Sequence, residues 1–455
     1  MDIDSPDRGT PQRPDGRPIA LPRHAQTGTA AVGGVAWSYI LLAAAWMADF
    51  RSAGEGQAVA IQAVFLSVYL FALIIFATAR IGGPARIEGL NGLIVLGGLY
   101  LTVGFLSGFV RSDSFYQLLR NGVGVFVYLS AAWATAKVAI EADPARLRRT
   151  LSWLCLPYAL AAFVIFNATS GGIDFSRVRY QIIGSSSMAA LGLFVTLAIF
   201  RLSAVQIFTL IANFGILLVS VTRTFLIVLV AQGAVMLTGL RHIVSRRLMV
   251  ALTGMIGMAA GAVIFAGDQL ARWQARLGGA GGSETVRDQT YFTRLSEWQF
   301  MLGSWTSSIK NVLFGSGFAA RTRYFETKEL GGGEQFMIGF GHNQHISMLF
   351  NGGIVGGLPL LLLMLWFGVL AIRFLRNAAR AGKPDSDVIF LGAWGATIII
   401  GFLVSDVFAA SFILRGEALW YGIGTGLLLG VQARFDPANA HLYAPRRPAV
   451  PAEAR

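Results

Sequence analysis

The chain has 455 residues, of which 55% are hydrophobic and only 13% are charged. Soluble domains carry about 25% charged residues, so this composition excludes a large soluble core and predicts an integral membrane protein. Lys and Arg outnumber Asp and Glu by 37 to 24. In a membrane protein such an excess usually reflects its topology and its contact with anionic lipid head groups, and only secondarily nucleic-acid binding. The single cysteine, Cys155, excludes an intrachain disulfide and a thiolate metal cluster.

Two polar tails flank the apolar part of the chain. Residues 1–29 are rich in Pro, Arg and Asp, and residues 433–455 contain four prolines. Both segments are predicted to be disordered tails. Acids and prolines precede the first apolar run, a pattern that differs from that of a cleaved signal peptide.

Twelve apolar runs between the tails are long enough to span a bilayer, some of them with tilt or local thinning. Nine lie within residues 30–267 and three within residues 354–432. The runs are approximately 31–49, 58–79, 90–110, 123–140, 151–168, 186–201, 203–221, 224–240, 248–267, 354–373, 387–408 and 417–432. The sequence thus predicts an all-α integral membrane protein of about twelve transmembrane helices, with one long loop, residues 268–353, between the ninth and the tenth.

The distribution of basic residues predicts the orientation of these helices. With both tails in the cytoplasm, the cytoplasmic segments hold 22 Lys and Arg residues and the short outer loops hold 7. The remaining 8 lie in the long loop, to which the positive-inside rule does not apply. Both termini are therefore predicted to be cytoplasmic and the long loop to lie outside, which in a bacterial inner membrane is the periplasm.

The middle of the long loop is predicted to form an amphipathic helix. In Thr290–Lys310, five apolar residues recur at spacings of three and four: Leu295, Trp298, Leu302, Trp305 and Ile309. This stripe would lie on the membrane surface or on neighbouring spans. Arg294 and Glu297 lie beside the stripe on one face, where a solvated ion pair is the simplest interpretation. The turn Phe314–Phe318 is predicted to end the helix, and a basic stretch with Arg321, Arg323 and Lys328 follows it.

The end of the loop carries the residues best suited to chemistry. The segment Gly339–Gly357 reads GFGHNQHISMLFNGGIVGG, with His342 and His345 three residues apart and Asn343 between them. A metal pair at the two histidines would need a third ligand, and acids are scarce nearby. Interfacial histidines at a helix end are the other alternative.

Two further polar features are predicted on the same side. Arg223 lies in a tight turn between two apolar runs, where a charge so near hydrocarbon indicates function or snorkelling to head groups. Asp406 lies near the outer end of its run, with Arg415 shortly after it. These two could complete a polar cavity or form a structural ion pair.

Several of these features, in this order, resemble the O-antigen ligase and polymerase superfamily of bacterial surface-polysaccharide assembly. They are the long outer loop before the tenth span, Arg223 in a Ser-x-x-Arg-Thr turn, the Arg294-Leu-Ser-Glu-Trp helix, the Leu313-Phe-Gly-Ser-Gly-Phe turn and His342-Asn343 with Gly353 eleven residues on. Ile346 stands where the family often has Leu. Trp298 stands where the Arg-x-x-x-Leu spacing of ligases would place Leu, which favours a polymerase.

The resemblance implies a GT-C-like membrane glycosyltransferase that works without metal or other cofactor. The donor would be a glycan on undecaprenyl pyrophosphate, and the acceptor a second glycan in a polymerase or lipid A–core in a ligase. The lipid bilayer is a partner, and nucleic acid is not expected. His342 would be the catalytic base, with Asn343 orienting it or the sugar, and Arg223 and Arg294 would bind the pyrophosphate. The supporting residues would be Glu297, His345, Arg321, Arg323 and Asp406.

A transporter is the alternative from another class. Twelve spans suit a transporter, but two related halves with a site at the midplane would be expected. Here the long loop follows the ninth span, and the polar residues gather at the outer surface.

Overall fold

The computed structural model describes residues 55–78, 86–111, 115–169, 192–193, 196, 200–220, 223–239, 284–325, 334–338, 341–380, 386–413, 415–436 and 439. The predicted spans 31–49 and 248–267 lie outside these residues, as do most of 186–201, the tail 1–29 and most of 433–455. Eleven helices are present in the described part: α1 Glu55–Thr78, α2 Leu90–Arg111, α3 Phe115–Glu141, α4 Pro144–Thr169, α5 Ala204–Ser220, α6 Arg223–Gly239, α7 Glu284–Thr306, α8 Ile309–Phe314, α9 Gln344–Arg380, α10 Asp387–Ser405 and α11 Arg415–Phe435.

The protein is mostly helical, as expected of a multi-pass membrane protein. Four of the described helices contain segments long and apolar enough to cross a membrane: Leu90–Arg111, Asn121–Glu141, Gln344–Ala378 and Asp387–Ser405. Nine of the predicted apolar runs coincide with described helices. Helices α5 and α6 are separated by two residues only, in agreement with the tight turn that the sequence predicts there.

The core of the bundle lies where α11 packs between α3 and α10. Nearly every residue of α11 is buried, and its glycines at four-residue spacing, Gly422, Gly426 and Gly430, face α3. A Cβ atom at Gly426 would lie 2.5 Å from the carbonyl oxygen of Ala132. Small residues at this spacing allow two apolar helices to approach closely, so the packing of these backbones fixes the centre of the bundle.

The long loop contains two helices where the sequence predicts one. Helix α7 ends at Thr306, and Ser308 caps the short helix α8 by accepting the backbone N–H of Asn311. The prediction of a single helix to Lys310 is wrong because three consecutive hydroxyl residues, Thr306–Ser308, favour a cap over a helix interior. Helix α8 then ends at Gly315, which has a positive φ of 71°, so the turn at 314–318 is confirmed.

The loop also contains a β-hairpin, which the all-α prediction lacks. Strand β1, Arg321–Phe325, pairs antiparallel with strand β2, Glu334–Ile338, so that Arg321 faces Ile338 and Phe325 faces Glu334. Strand β1 packs on α7. The hairpin therefore returns the chain to α7 just before α9 begins.

Helix α9 is kinked near its start. Gly353 has φ 62° and ψ −161°, and it separates a short first segment from a long apolar one. A Cβ atom at Gly353 would lie 2.6 Å from the backbone nitrogen of Gly315. The kink thus fits the first segment of α9 against the turn that follows α8.

Candidate active site

The main feature of the site is a hydrogen-bonded pair formed by Glu297 and His342. Nδ1 of His342 lies 3.0 Å from Oε2 of Glu297, and the backbone N–H of His342 donates to the same oxygen at 3.2 Å. Glu297 is fully buried, whereas 42% of the His342 side chain is exposed. With Nδ1 held by the carboxylate, Nε2 is the ring nitrogen that remains for a ligand at the open side.

The surroundings of Glu297 explain how a carboxylate is accommodated there. Glu297 and Met301 lie one turn apart on the fully buried face of α7. The hydroxyl of Thr322, also fully buried, points to Oε1 of Glu297 at 3.5 Å. The prediction of a solvated Arg294–Glu297 ion pair is therefore wrong, because Glu297 is buried and its carboxylate binds His342. A buried carboxylate needs such partners, because without hydrogen bonds its desolvation would be costly.

The position of His342 is set by the start of α9. Asn343 is the N-cap: its Oδ1 accepts the backbone N–H of Ile346 at 2.9 Å, and its Nδ2 donates to the carbonyl of Val407 at 3.1 Å. Both polar atoms of the Asn343 side chain are thus engaged. Of the two roles predicted for Asn343, orientation of His342 is supported through the backbone, because the side chain of Asn343 binds Val407 and Ile346 and not the imidazole ring.

The loop between α10 and α11 anchors this segment from the other side. The backbone N–H of Gln344 is shared between the carbonyls of Asp406 and Ala409, at 2.8 and 3.0 Å. The backbone N–H of Phe412 donates to the Gln344 side chain at 3.3 Å. Residues 406–412 therefore hold the first residues of α9 in place. Asp406 was selected from the sequence, but residues 407–412 were not, because nothing in their composition indicates an anchor.

Arg294 reaches the same loop from α7. Its Nη1 donates to the carbonyl of Phe408. Phe408 follows Val407, whose carbonyl accepts the side-chain N–H of Asn343. Arg294 lies one helical turn before Glu297, so the structure brings Arg294, Glu297 and His342 into one region, as the sequence predicts. A guanidinium has five donors, and its planar fork suits phosphate oxygens.

Asp406 supports the loop from inside the protein. It is fully buried, and its Oδ1 accepts both the backbone N–H and the hydroxyl of Ser411. Its Oδ2 is buried without a hydrogen-bond partner among the described residues, so the predicted pair with Arg415 is wrong. Burial raises the pKa of the Asp406 carboxyl to about 7. A residue so placed can stabilise the loop but cannot touch a substrate.

His345 differs from His342 in its position and in the burial of its Nε2. His342 precedes the N-cap, whereas His345 lies inside the first turn of α9. Its Nε2 is buried and has no partner among the described residues. No three His, Cys, Asp or Glu side chains in the described part of the chain come close enough to hold a metal ion.

Of the predicted basic residues, Arg321 and Arg323 are described on strand β1 of the hairpin. Thr322 of β1 faces α7, so Arg321 and Arg323, its neighbours in the strand, point to the opposite face of the hairpin. Arg321 is exposed there. Helix α6 begins at Arg223, but the side chain of Arg223 lies outside the described part of the chain, as does Lys328.

The glycines after His342 are packed against protein. Hypothetical Cβ atoms at Gly352 and Gly356 would meet Tyr100 and Val103 of α2, and one at Gly357 would meet the backbone of Met348. Glycine at these positions therefore allows the backbones to pack closely. The space directly beside these three glycines is filled by protein.

A small cavity with a mostly apolar lining lies behind the first turns of α9. It has a volume of about 20 Å³ and is lined in part by Asn121, Gln344 and Ser347. This volume suits about one water molecule. A sugar would not fit in this cavity, and the exposed part of the His342 side chain lies elsewhere.

Fold and site together define a helical, multi-pass membrane protein with a carboxylate–imidazole pair in a loop region at one end of the bundle. No protein-family model matches the chain, and no curated protein matches it in sequence. The activity must therefore be inferred from the arrangement of these residues.

Proposed function

We propose that the protein is a membrane glycosyltransferase in which His342 acts as the general base. The observation that carries the proposal is the pair formed by buried Glu297 and half-exposed His342, with Nδ1 at 3.0 Å from the carboxylate. A base oriented by a buried carboxylate is the arrangement by which proteins activate a hydroxyl nucleophile. The same arrangement could serve other hydroxyl acceptors, and the resemblance in sequence selects a sugar.

The reaction follows from the two nitrogens of the ring. Nδ1–H donates to Glu297, which leaves Nε2 unprotonated and able to accept the proton of an acceptor hydroxyl. The hydroxyl oxygen attacks the anomeric carbon of the donor sugar, and the bond between that carbon and the pyrophosphate oxygen breaks. The electron pair leaves with undecaprenyl pyrophosphate. Glu297 stabilises the imidazolium until the proton is passed on to water or the leaving group.

Arginine side chains supply the positive charge that the leaving group requires. A pyrophosphate gains negative charge as it departs, and guanidiniums bind phosphate oxygens in a bidentate manner. Arg294 is suited to this role by its position one turn from Glu297 and beside the anchor loop. Arg223 is proposed as the second guanidinium because α6 begins at Arg223, only two residues after α5 ends.

Within this class we propose a polymerase that joins repeat units of an exopolysaccharide or O-antigen at the periplasmic face of a bacterial inner membrane. Trp298, where ligases have Leu, favours this choice over transfer to lipid A–core. Loss of the protein should leave surface polysaccharide at a single repeat unit on gels. Long chains that accumulate on the lipid carrier beside a bare lipopolysaccharide core would instead identify a ligase.

The activity can be tested in proteoliposomes that contain a synthetic undecaprenyl-pyrophosphate oligosaccharide. His342→Ala should reduce the transfer rate by about 10²–10⁴-fold, the usual contribution of a general base. His345→Ala is the matched control and should retain most of the activity. Release of undecaprenyl pyrophosphate measured by mass spectrometry gives the rate. Near-normal transfer by the His342→Ala variant would contradict the proposal.

A further inference from the structure

The short helix α8, Ile309–Phe314, presents an apolar face that no described residue covers. Ile309 is 81% exposed, and Leu313 and Phe314 are 37% and 42% exposed. Ile309 and Leu313 lie four residues apart, so their side chains share one face of the helix. The opposite face is used by the protein, since Asn311 bonds to Ser304 and the carbonyl of Val312 accepts the indole N–H of Trp305.

The level of α8 relative to the bundle is fixed by contacts with α2. Ser107 donates to the carbonyl of Phe314 at 3.0 Å, and Arg111 donates to the side chain of Asn311. The following turn also docks on α2, because the backbone N–H of Phe318 donates to the carbonyl of Gly104 at 3.1 Å. Helix α8 therefore lies beside the last turn of α2, where the apolar span Leu90–Arg111 ends.

The exposed face of α8 continues an apolar surface of α2. Leu106, Phe109 and Val110 are 62%, 69% and 71% exposed. Val110 lies within one turn of the anchoring residues Ser107 and Arg111. Helix α2 is an apolar span that is exposed over most of its surface, so it faces lipid. The exposed face of α8 lies next to the end of this span and therefore meets the same lipid.

The polar residues around this surface fit the edge of a bilayer. Lys310 is exposed on α8, and Arg111 is exposed at the end of α2. Long basic side chains at the end of a span reach the phosphates of lipid head groups while their stems lie along apolar chains. The exposed hydroxyl residues Thr306–Ser308, at the start of α8, suit the hydrated head-group layer.

We propose that α8 is an interfacial anchor, with Ile309, Leu313 and Phe314 inserted among the acyl chains of the leaflet at the end of the bundle that carries the Glu297–His342 pair. Helix α7 is tied to α8 through Trp305, and α7 carries Glu297. The anchor thus keeps the Glu297–His342 pair at the level of the lipid head groups. This inference rests on the membrane character of the chain and is independent of the proposed glycosyl transfer.

Spin labels at single cysteines test the anchor in the full-length protein. Cys155 is buried, and a Cys155→Ala background removes it from the labelling reaction. Ile309→Cys and Phe314→Cys are labelled in liposomes of phosphatidylethanolamine and phosphatidylglycerol. Collision rates with oxygen, which concentrates in acyl chains, and with a water-soluble nickel chelate then report depth. Leu99→Cys in the middle of α2 and Gln299→Cys on the exposed face of α7 are the matched references.

The labels at 309 and 314 should show oxygen-to-nickel ratios between those of the two references and close to that of Val110→Cys. Nickel collisions at 309 as frequent as at 299 would overturn the proposal, and so would protection from both reagents, which would indicate a second copy on this face. Undecaprenyl phosphate added to the vesicles should leave the ratios unchanged. Shielding that appears only with this lipid would assign the face to a prenyl carrier and would also overturn the anchor.

Discussion

At the residue scale, the main feature of this protein is that Glu297 is buried while its partner His342 is half exposed. The carboxylate accepts two hydrogen bonds from one residue, the ring and backbone N–H of His342. Both the orientation of the ring and the direction of the peptide before α9 therefore depend on a single side chain of α7. A carboxylate that served only to stabilise the fold would not need a partner that is open to solvent.

Replacement of Glu297 by Gln tests this dependence. The amide keeps the size of the side chain but loses the charge, and its NH₂ group can face Nδ1 so that the ring adopts the wrong tautomer. Turnover should fall by about 10²–10⁴-fold with little change in KM, as expected when an orienting carboxylate is neutralised. Thermal unfolding should remain cooperative, and unchanged turnover would show that Glu297 does not act on His342.

Asp406 gives the protein a dependence of stability on pH. Burial raises the pKa of its carboxyl to about 7 in the folded state, while the unfolded chain has the ordinary value near 4. Between these values the folded state holds a proton that the unfolded state has released. The contribution of Asp406 is thus fully present below pH 4 and is lost as pH rises through 7.

Asp406→Asn should flatten this dependence. The wild-type midpoint of thermal unfolding in detergent should fall between pH 4.5 and 7.5, by an amount that corresponds to a free energy of unfolding on the order of a few kcal/mol. The Asp406→Asn variant should show a smaller fall. Glu88→Gln, at an exposed position, is the control and should match the wild type; equal slopes for all three proteins would contradict the assignment.

The sequence indicated the individual residues of the site better than their partners. His342, Glu297 and Arg294 could all be selected from the sequence as candidates. The pairing of Glu297 with His342 spans 45 residues and depends on the hairpin, which brings the chain back to α7. Spacing within one helix suggested a solvated pair with Arg294, because local periodicity carries no information on contacts made by distant segments.

At the element scale, the helices that consist of long apolar runs could be predicted from composition. The elements of the long loop could be predicted less well. The bounds of α2, α5 and α6 lie within two residues of the predicted runs. The hairpin was missed because β1 reads Arg-Thr-Arg-Tyr-Phe, with no alternation of apolar and polar residues that would favour a half-buried strand. Its inward residue is Thr322, whose burial follows from the contact with α7 and not from hydrophobicity.

The kink of α9 is an element-scale feature that can be tested with glycine substitutions. Gly353→Ala places a Cβ in a backbone region almost restricted to glycine and against the backbone of Gly315, so it should destabilise the protein by at least about 1–3 kcal/mol. Gly98→Ala in α2, where a Cβ would meet nothing within 4 Å, is the control and should be neutral or slightly stabilising. Thermal unfolding measures both, and similar midpoints would show that the kink is not required.

At the scale of the whole molecule, the site is held by the most tightly packed part of the bundle. Helices α10 and α11 are buried along most of their lengths, and the loop that joins them anchors both Gln344 and Arg294. The buried core helices thus fix the positions of the proposed base, His342, and of the guanidinium of Arg294. This arrangement is the usual one for function on loops that a scaffold positions.

The orientation of the molecule in its membrane can be predicted from α9. After the kink, the helix runs from Ile354 to Arg380, which at about 1.5 Å per residue gives roughly 40 Å, more than the roughly 30 Å of a hydrocarbon core. Its last turns carry Arg373, Arg376 and Arg380, and basic residues at the end of a span favour the cytoplasm. His342, at the other end, should then lie on the outer side.

Reporter fusions to the chain measure this orientation directly. Alkaline phosphatase, which is active only outside the cytoplasm, should be active when fused after Gly331 and inactive after Arg380, and green fluorescent protein should give the reverse. The bias of 22 basic residues in cytoplasmic segments against 7 in short outer loops supports the same outcome. The opposite pattern would place the Glu297–His342 pair in the cytoplasm, where a donor presented at the outer leaflet could not reach it, and the proposed activity would fail with it.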